Sequence, residues 1–240
     1  MIATLRSAAS MAVFILSLAL ITVVGVPLLL LSGFRLRDHL IRHLGGFVGA
    51  AVLATAGVKL VIRDHRLRAD QPTVFISNHS STLDMFVILA LRLKRTRFVA
   101  KHELQFNPFF FIIGRMTGQV FLQRQDREKA LLALDTALSD IRREGLSLYM
   151  APEGTRKHEG VVGPFKKGAF HMALKTGYPI TPILIEGASA LAHGGSLITR
   201  PGTLTITLHE EVDSSAYVPE QVDRFVEVVR NRYCAWLGGC

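Results

Sequence analysis

This chain of 240 residues lacks several of the short patterns that mark common enzyme classes. It has no Gly-x-x-x-x-Gly-Lys-Ser/Thr loop to hold a nucleotide phosphate, which argues against a nucleotide hydrolase. It has no Gly-x-Ser-x-Gly segment, which argues against an ordinary serine hydrolase. Its two cysteines, Cys234 and Cys240, are too few for a disulfide framework, and no His/Cys cluster has the spacing of a zinc site. We therefore predict chemistry without a metal centre.

Acidic residues are scarce relative to basic ones. The 19 aspartates and glutamates face 28 lysines and arginines, which gives a net charge of +9. This excess predicts an anionic partner, which could be nucleic acid, an acidic lipid surface or a phosphorylated substrate. The basic residues form no Lys/Arg block with interleaved aromatic side chains, and no nucleic-acid-binding fold signature is present. We therefore expect no nucleic-acid partner.

Charged residues are absent from a long run near the N-terminus, between Arg6 and Arg35. As a helix, residues 8–32 would be about 37 Å long, which exceeds the roughly 30 Å of a hydrocarbon core. We predict a retained anchor rather than a cleaved signal peptide, because the apolar run continues through residues 26–31 and arginines follow it. A second uncharged run at 44–58 is too short for an easy span.

These two runs could form either a through-going span or a hairpin that dips into one leaflet, and the sequence does not separate the two. Arg35, Arg37 and Arg42 outweigh Arg6, which predicts that the bulk of the chain lies on the cytoplasmic side. We assign residues 1–56 to membrane-anchoring helices and residues 57–240 to one further domain.

Strand-like and helix-like patterns alternate beyond residue 57. The predicted strands are 58–62, 73–77, 97–100, 119–122, 146–150, 180–185 and 204–208. The predicted helices are 83–93, 108–116, 127–142, 167–175 and a last one that starts near Pro219. This order predicts an α/β fold with a central, mostly parallel or mixed sheet flanked by helices, preceded by the membrane-embedded helical segment.

The segment Asn78-His79-Ser80-Ser81-Thr82-Leu83-Asp84 directly follows a predicted strand. On a continuous helix, His79 and Asp84 would point about 140° apart, so we expect His79 in the turn and Asp84 in the first helical turn. Asp84 would then accept a hydrogen bond from one ring nitrogen and leave the other free to take a proton. The alternative is a polar loop histidine beside an aspartate that complements the helix N-terminus.

Further candidate residues follow other strands, and ligands of open α/β sheets gather beyond the carboxyl ends of strands. Lys101, Arg124 and Arg156 are candidate phosphate ligands, because cations at such an edge attract an anion and a guanidinium offers it two parallel donors. Each could instead be a solvated surface cation. Gly154 would let backbone N–H groups approach an anion, and Glu153 would either orient Arg156 or cap the following turn.

The order of these segments resembles the glycerolipid acyltransferase family, whose members carry four sequence boxes. The segments that carry the resemblance are Asn78 to Asp84 (the NHxxxxD box), Lys101-His102-Glu103-Leu104 with Pro108, Gly114 and residues 121–124, Pro152-Glu153-Gly154-Thr155-Arg156 (the EGTR box) and Ile180-Thr181-Pro182-Ile183. The likeness covers roughly residues 57–210. In the third box, Ala151 stands where the family usually has Phe, and Lys157 where it often has Ser.

The subgroup that this chain resembles most is lysophosphatidate acyltransferase. The resemblance implies transfer of a fatty acyl group from acyl-CoA or an acyl carrier protein to the free hydroxyl of lysophosphatidate, giving phosphatidate without a cofactor. It implies that His79 and Asp84 are catalytic. It also implies membrane lipids as partners and a place on the cytoplasmic face of the cell inner membrane. The residues implied to bind substrate are Lys101, Arg124, Glu153, Gly154, Thr155, Arg156 and Pro182.

Other functions remain open on sequence. The acceptor could be glycerol-3-phosphate, another lysophospholipid or a lyso-aminolipid. A lipid hydrolase is a further alternative, as is a non-catalytic lipid-binding protein of the same fold. The intact His79, Asp84, Glu153 and Arg156 favour catalysis, since a binding protein has no need for a paired base.

Overall fold

A seven-stranded sheet forms the centre of the computed structural model, which describes residues 2–63, 71–122, 127–156, 161–196 and 198–239. Within the described residues the strands are β1 (Val58–Ile62), β2 (Val74–Ser77), β3 (Thr96–Lys101), β4 (Val120–Leu122), β5 (Ser147–Met150), β6 (Ile180–Glu186) and β7 (Gly202–Leu208). Their spatial order is β1-β7-β6-β2-β5-β3-β4. Neighbouring strands are parallel except for β6 and β7. The predicted mostly parallel sheet is therefore confirmed.

Helices cover both faces of this sheet. In the described residues they are α1 (Ile2–Leu20), α2 (Val26–Leu31), α3 (Arg37–Leu40), α4 (Gly46–Thr55), α5 (Leu83–Ala90), α6 (Pro108–Thr117), α7 (Arg127–Glu144), α8 (Gly168–Thr176), α9 (Ala188–Leu191) and α10 (Val222–Trp236). Helix α5 ends at Ala90, three residues before the predicted end at 93, because the chain turns there and Arg92 takes a positive φ of 53°.

The hydrophobic core has two layers, one on each face of the sheet, because successive strand side chains point to opposite sides. Ile76 faces a layer shared with Phe170 of α8 and Phe225 of α10. Its neighbour Phe75 faces a layer shared with Leu53 of α4 and Val87 of α5. Buried from both sides, β2 holds the loop that follows it in a fixed place.

The N-terminal apolar run forms one helix through α1, a π-type segment at Ile21–Gly25 and α2. Its 29 residues from Ala3 to Leu31 are long and apolar enough to cross a membrane by length and composition. Only 11% of its most apolar stretch is buried, so most of its side chains are exposed. The helix therefore presents a large apolar surface that the rest of the chain does not cover.

This helix lies along the rest of the fold. Near its start, Ser7 Oγ accepts a hydrogen bond from the Thr199 N–H at 2.9 Å. In its middle, the Phe14 ring meets the ring of Phe86 in α5, with centroids 5.1 Å apart. Beyond its end, the carboxylate of Asp38 accepts from Arg97 of β3 at 2.7 Å.

The second apolar run forms α4, which packs closely on α5. A Cβ atom added at Gly49 would lie 2.5 Å from the Phe86 carbonyl oxygen, so the two helix backbones meet at a position where only glycine fits. Leu53 and Ala56 at the end of this run belong to the core. The predicted division at 56/57 thus falls within a packed region, and the two-part description stays a prediction.

Candidate active site

Asn78 fixes the point at which the chain leaves β2. Its side-chain oxygen accepts from the Ile185 N–H and its amide donates to the Ile185 carbonyl, both at 2.8 Å. The side chain thus replaces a backbone pairing between β2 and β6. Sequence reasoning named Asn78 only as the start of a box, although a polar residue directly after a buried strand was a usable signal.

His79 follows in the loop and meets Asp84 across the turn, as the sequence predicts. The His79 Nδ1 and Asp84 Oδ2 atoms are 2.9 Å apart. The His79 side chain is 24% exposed, whereas that of Asp84 is 1% exposed. Within the described residues Nε2 has no hydrogen-bond partner, so the outer ring nitrogen is available to an incoming group.

Asp84 lies in the first turn of α5 and folds back onto the loop that precedes the helix. Its Oδ2 atom also accepts from the N–H groups of Ser80 at 2.8 Å and Ser81 at 2.9 Å. Charge-assisted bonds of this kind are strong and fix the carboxylate. The buried Oδ1 atom has no hydrogen-bond partner in the described part of the chain.

Glu153 holds the histidine from the other side. Its Oε1 atom accepts from the His79 backbone N–H at 2.8 Å, and its Oε2 atom accepts from the Gly163 N–H at 2.9 Å. The residue is 3% exposed. Its carboxylate therefore binds backbone groups of the fold, a role different from the orientation of Arg156 or the cap of a following turn expected from sequence.

Arg230 of α10 extends this network. Its Nε atom donates to the Gly163 carbonyl and its Nη2 atom donates to the Val162 carbonyl, each at 3.0 Å. A line of contacts thus runs from α10 through Gly163 and Glu153 to the His79 backbone. The local sequence around Arg230 does not predict this role, because its hydrogen-bond partners lie 67 and 68 residues away in sequence.

Two tyrosines lie beneath the loop, Tyr149, which is half-buried, and Tyr233, which is buried. Tyr149 of β5 shares a hydrogen bond of 2.8 Å with the Ser77 hydroxyl. Burial raises the pKa of Tyr149 far above its ordinary value, Ser77 lowers it in part, and the charge of Asp84 raises it further. The Tyr233 hydroxyl donates to the Ile76 carbonyl at 2.9 Å, and burial likewise raises its pKa. Both hydroxyls stay neutral and act as hydrogen-bonding groups.

The remaining predicted site residues lie at different positions. Lys101 ends β3, is 52% exposed and pairs with Glu103 at 3.2 Å. Gly154 and Thr155 follow β5, and the positive φ of 65° at Gly154 suits a residue without a side chain. Arg156 is exposed beside them.

Arg124 and Pro182 are the last two of the predicted site residues. Arg124 lies outside the described residues. Pro182 is buried inside the sheet, in register with Ile76 of β2, and therefore before the loop that carries His79. Its predicted contact with a substrate stays a prediction.

The arrangement can perform proton transfer. An imidazole with one nitrogen bonded to a buried carboxylate and the other open suits a general base. Exposed Lys101 ends β3 and exposed Arg156 follows β5. Strand β5 lies between β2 and β3 and is parallel to both, so positive charge lies at the same carboxyl ends of the strands as His79. No group of three or more His, Cys, Asp or Glu side chains able to hold a metal ion occurs in the described ranges.

Comparison with known proteins gives a consistent family. The model of the family described as Acyltransferase matches residues 59–186. A 1-acyl-sn-glycerol-3-phosphate acyltransferase from Haemophilus influenzae is 33% identical over 165 residues, which cover 66% of this chain and 67% of that protein. The beta enzyme of the same name from Homo sapiens is 32% identical over 182 residues, which cover 74% of this chain and 66% of that protein.

A solved structure has the same architecture. The crystal structure of the 1-acyl-sn-glycerophosphate (LPA) acyltransferase PlsC from Thermotoga maritima matches with a TM-score of 0.67 and 27% sequence identity. The match covers 95% of each chain. It therefore includes the N-terminal helices as well as the sheet.

Proposed function

We propose that this chain is a 1-acyl-sn-glycerol-3-phosphate acyltransferase, because it belongs to the glycerolipid acyltransferase family. It transfers a fatty acyl group from an acyl thioester to the free hydroxyl of lysophosphatidate and so makes phosphatidate. The names of its relatives support this substrate. The observation that carries the chemistry is the 2.9 Å contact between His79 Nδ1 and Asp84 Oδ2, which leaves Nε2 open.

In the proposed reaction, His79 Nε2 removes the proton of the acceptor hydroxyl as its oxygen attacks the thioester carbonyl carbon. A tetrahedral oxyanion forms and then collapses, which breaks the carbon–sulfur bond. The departing thiolate takes the proton from the His79 imidazolium, so the base returns to its starting state. Asp84 holds the imidazole in one orientation and stabilises the imidazolium. No covalent acyl-enzyme and no cofactor take part.

The acceptor phosphate binds Arg156 in this proposal, with help from Lys101 and from Arg124. Arg156 is exposed at the sheet edge that carries His79, and no ion pair engages it among the described residues. A guanidinium there can give a phosphate two parallel hydrogen bonds. Gly154 and Thr155 line the same turn and complete the proposed acceptor site.

The N-terminal helix holds the enzyme at the membrane. Contacts of Ser7, Phe14 and Asp38 keep this region against the sheet domain. A helix that crossed the bilayer upright would carry the adjoining polar surface into hydrocarbon, at a high cost in free energy. We infer that the helix lies in one leaflet. The excess of arginines after it supports the cytoplasmic face of the inner membrane.

Identification of the product lipid tests the proposed function. Purified protein receives a labelled acyl thioester with lysophosphatidate, glycerol-3-phosphate, another lysophospholipid or a lyso-aminolipid. We expect phosphatidate from lysophosphatidate at the highest kcat/KM. Preference for another acceptor would replace the substrate, and free fatty acid without an acceptor would indicate a hydrolase. Lipid binding with no product would indicate a binding protein.

The acceptor site has its own test. Arg156→Ala should raise the KM for lysophosphatidate at least tenfold, because a charge-assisted contact to phosphate contributes about 1.5–3 kcal/mol. Arg200→Ala, at another exposed arginine, serves as the control and should leave this KM unchanged. An unchanged KM in Arg156→Ala would place the phosphate elsewhere.

A further inference from the structure

A recess between the end of the N-terminal helix and β3 forms a second cationic site, which we call the arginine recess. Its volume is about 280 Å³ and its lining residues are Phe34, Arg35, Arg37, Asp38, Arg97 and Glu144. We propose that the arginine recess binds the phosphate of an anionic phospholipid headgroup, as a lipid site separate from the acceptor site.

The recess lies near the amino ends of the strands, whereas His79 follows the carboxyl end of β2. Arg97 pairs with Leu148 of β5, and Leu148 pairs with Val74, the first residue of β2. His79 comes five residues after Val74 in sequence, which is about 16 Å along a strand direction. A phosphate in the recess therefore cannot belong to an acceptor whose hydroxyl reaches His79 in the proposed reaction.

Positive charge exceeds negative charge in the recess. Asp38 accepts from Arg97 at 2.7 Å and lies 3.8 Å from Arg95. The other carboxylate, Glu144, lies 3.4 Å from Arg143. Both carboxylates therefore already have arginine partners. The remaining cations of the lining are Arg35 and Arg37, and a bound anion would provide their counter-charge.

Two guanidinium groups of the lining converge on one point of the backbone. A Cβ atom added at Gly118 would lie 3.4 Å from Arg97 Nε and 3.5 Å from Arg37 Nη1. Arg97 is 3% exposed, so its charge is held in a buried position. Arg37 Nε is buried and has no hydrogen-bond partner in the described part of the chain. The charge of Arg97 thus lies beside Arg37, whose planar guanidinium has the donors to bind the oxygens of a phosphate.

The surroundings point to a lipid rather than a soluble phosphate. The recess begins three residues after Leu31, where the apolar helix ends. Leu31 is 85%, Phe34 39% and Leu36 41% exposed, so apolar side chains adjoin the cationic lining. An anionic phospholipid has the same arrangement, with acyl chains next to a charged headgroup. Basic residues beside a membrane-embedded helix recognise such headgroups.

Thermal unfolding of the full chain in detergent tests the site. Phosphatidylglycerol should raise Tm by about 5 °C more than phosphatidylcholine does, because a ligand of the native state stabilises it. Arg37→Gln should abolish this difference while its Tm without lipid stays at the wild-type value. Arg232→Gln removes the same charge from an exposed position of α10 and should keep the full shift. Inorganic phosphate alone should give no shift.

Several results would overturn the proposal. A full shift in Arg37→Gln, or no shift in the wild type, would exclude the recess. An equal shift with inorganic phosphate would indicate a site for soluble anions. A shift that disappears in Arg156→Gln would place the lipid at the acceptor site. If Arg37→Gln does not fold, Arg35→Gln at the exposed side of the lining gives the same test, with the same result expected.

Discussion

His79 is held by residues that need not touch a substrate. Asn78 ties the loop to β6, and Glu153 ties the His79 backbone to the segment at Gly163. The reactive ring is therefore supported from both sides before any substrate arrives. Positioning of this kind lowers the entropic cost of the proton transfer, since the base is already oriented.

Glu153→Gln tests this support. A glutamine offers one accepting oxygen to the two N–H groups of His79 and Gly163, and its own amide would face the second N–H. We expect the free energy of unfolding to fall by about 2 kcal/mol, because one buried donor loses its partner. The kcat should fall as well, since the His79 backbone loses its anchor.

Chemical denaturation and the rate of product formation measure these two effects. Glu220→Gln is the matched control, because Glu220 is exposed in the short helix before α10. Wild-type stability and kcat in Glu153→Gln would show that the two contacts do not support the loop.

Sequence reasoning predicted which residues form the reactive pair but not how they are held. His79 and Asp84 are five positions apart, so the geometry of one turn sets their contact. Glu153 lies 74 positions from His79, and only the parallel pairing of β2 and β5 brings them together. A contact of that range leaves no trace in local spacing, and the predicted roles of Glu153 were therefore different from the one found.

At the scale of elements, helix α10 does more than close one core layer. Its Arg230 side chain donates to two carbonyls of the segment that Glu153 binds through Gly163. A helix far from the loop in sequence thus reaches the His79 backbone through two steps. The segment at 162–163 is the link between them.

Arg230→Ala should lower kcat about tenfold with little change in KM, because charge-assisted hydrogen bonds that hold the segment are lost. Added guanidinium ion should restore part of the activity by occupying the vacated position. Arg232→Ala on the same helix is exposed and should show neither effect. An unchanged kcat in Arg230→Ala, or a loss that guanidinium does not relieve, would remove α10 from the support of the loop.

The predicted strands agree with the observed ones to within two residues at each end. Their apolar runs are bounded by turn residues, and buried parallel strands leave such runs in the sequence. No sequence pattern predicted that β7 would run antiparallel to its neighbour β6. Strand direction depends on how the connecting segment packs, which hydropathy does not encode.

At the scale of the whole molecule, one face carries most of the uncovered apolar surface. The N-terminal helix exposes Leu16 at 68%, and the segment before α6 exposes Phe106 at 77%. The Phe14 and Phe110 rings join these two regions, with centroids 6.2 Å apart. The sequence left a span and a leaflet hairpin open, and the proposed place of the helix in one leaflet corresponds to the second.

Quenching by brominated phospholipids tests which face meets the bilayer. Trp236 is the single tryptophan, so a Trp236→Phe background gives a silent protein. In vesicles, tryptophan introduced by Leu16→Trp or Phe106→Trp should be strongly quenched. Val218→Trp is the control, because Val218 is 51% exposed and precedes α10. Equal quenching at all three positions would contradict a single membrane-facing side.

The rate of phosphatidate formation by His79→Ala tests the central proposal most directly. Loss of a general base that also returns the proton should lower kcat by about 10²–10⁴-fold. Equal Tm values for variant and wild type would show that the fold is intact, and His39→Ala, at an exposed histidine, should keep full activity. A folded His79→Ala protein that makes phosphatidate at the wild-type rate would contradict the proposed role of the imidazole.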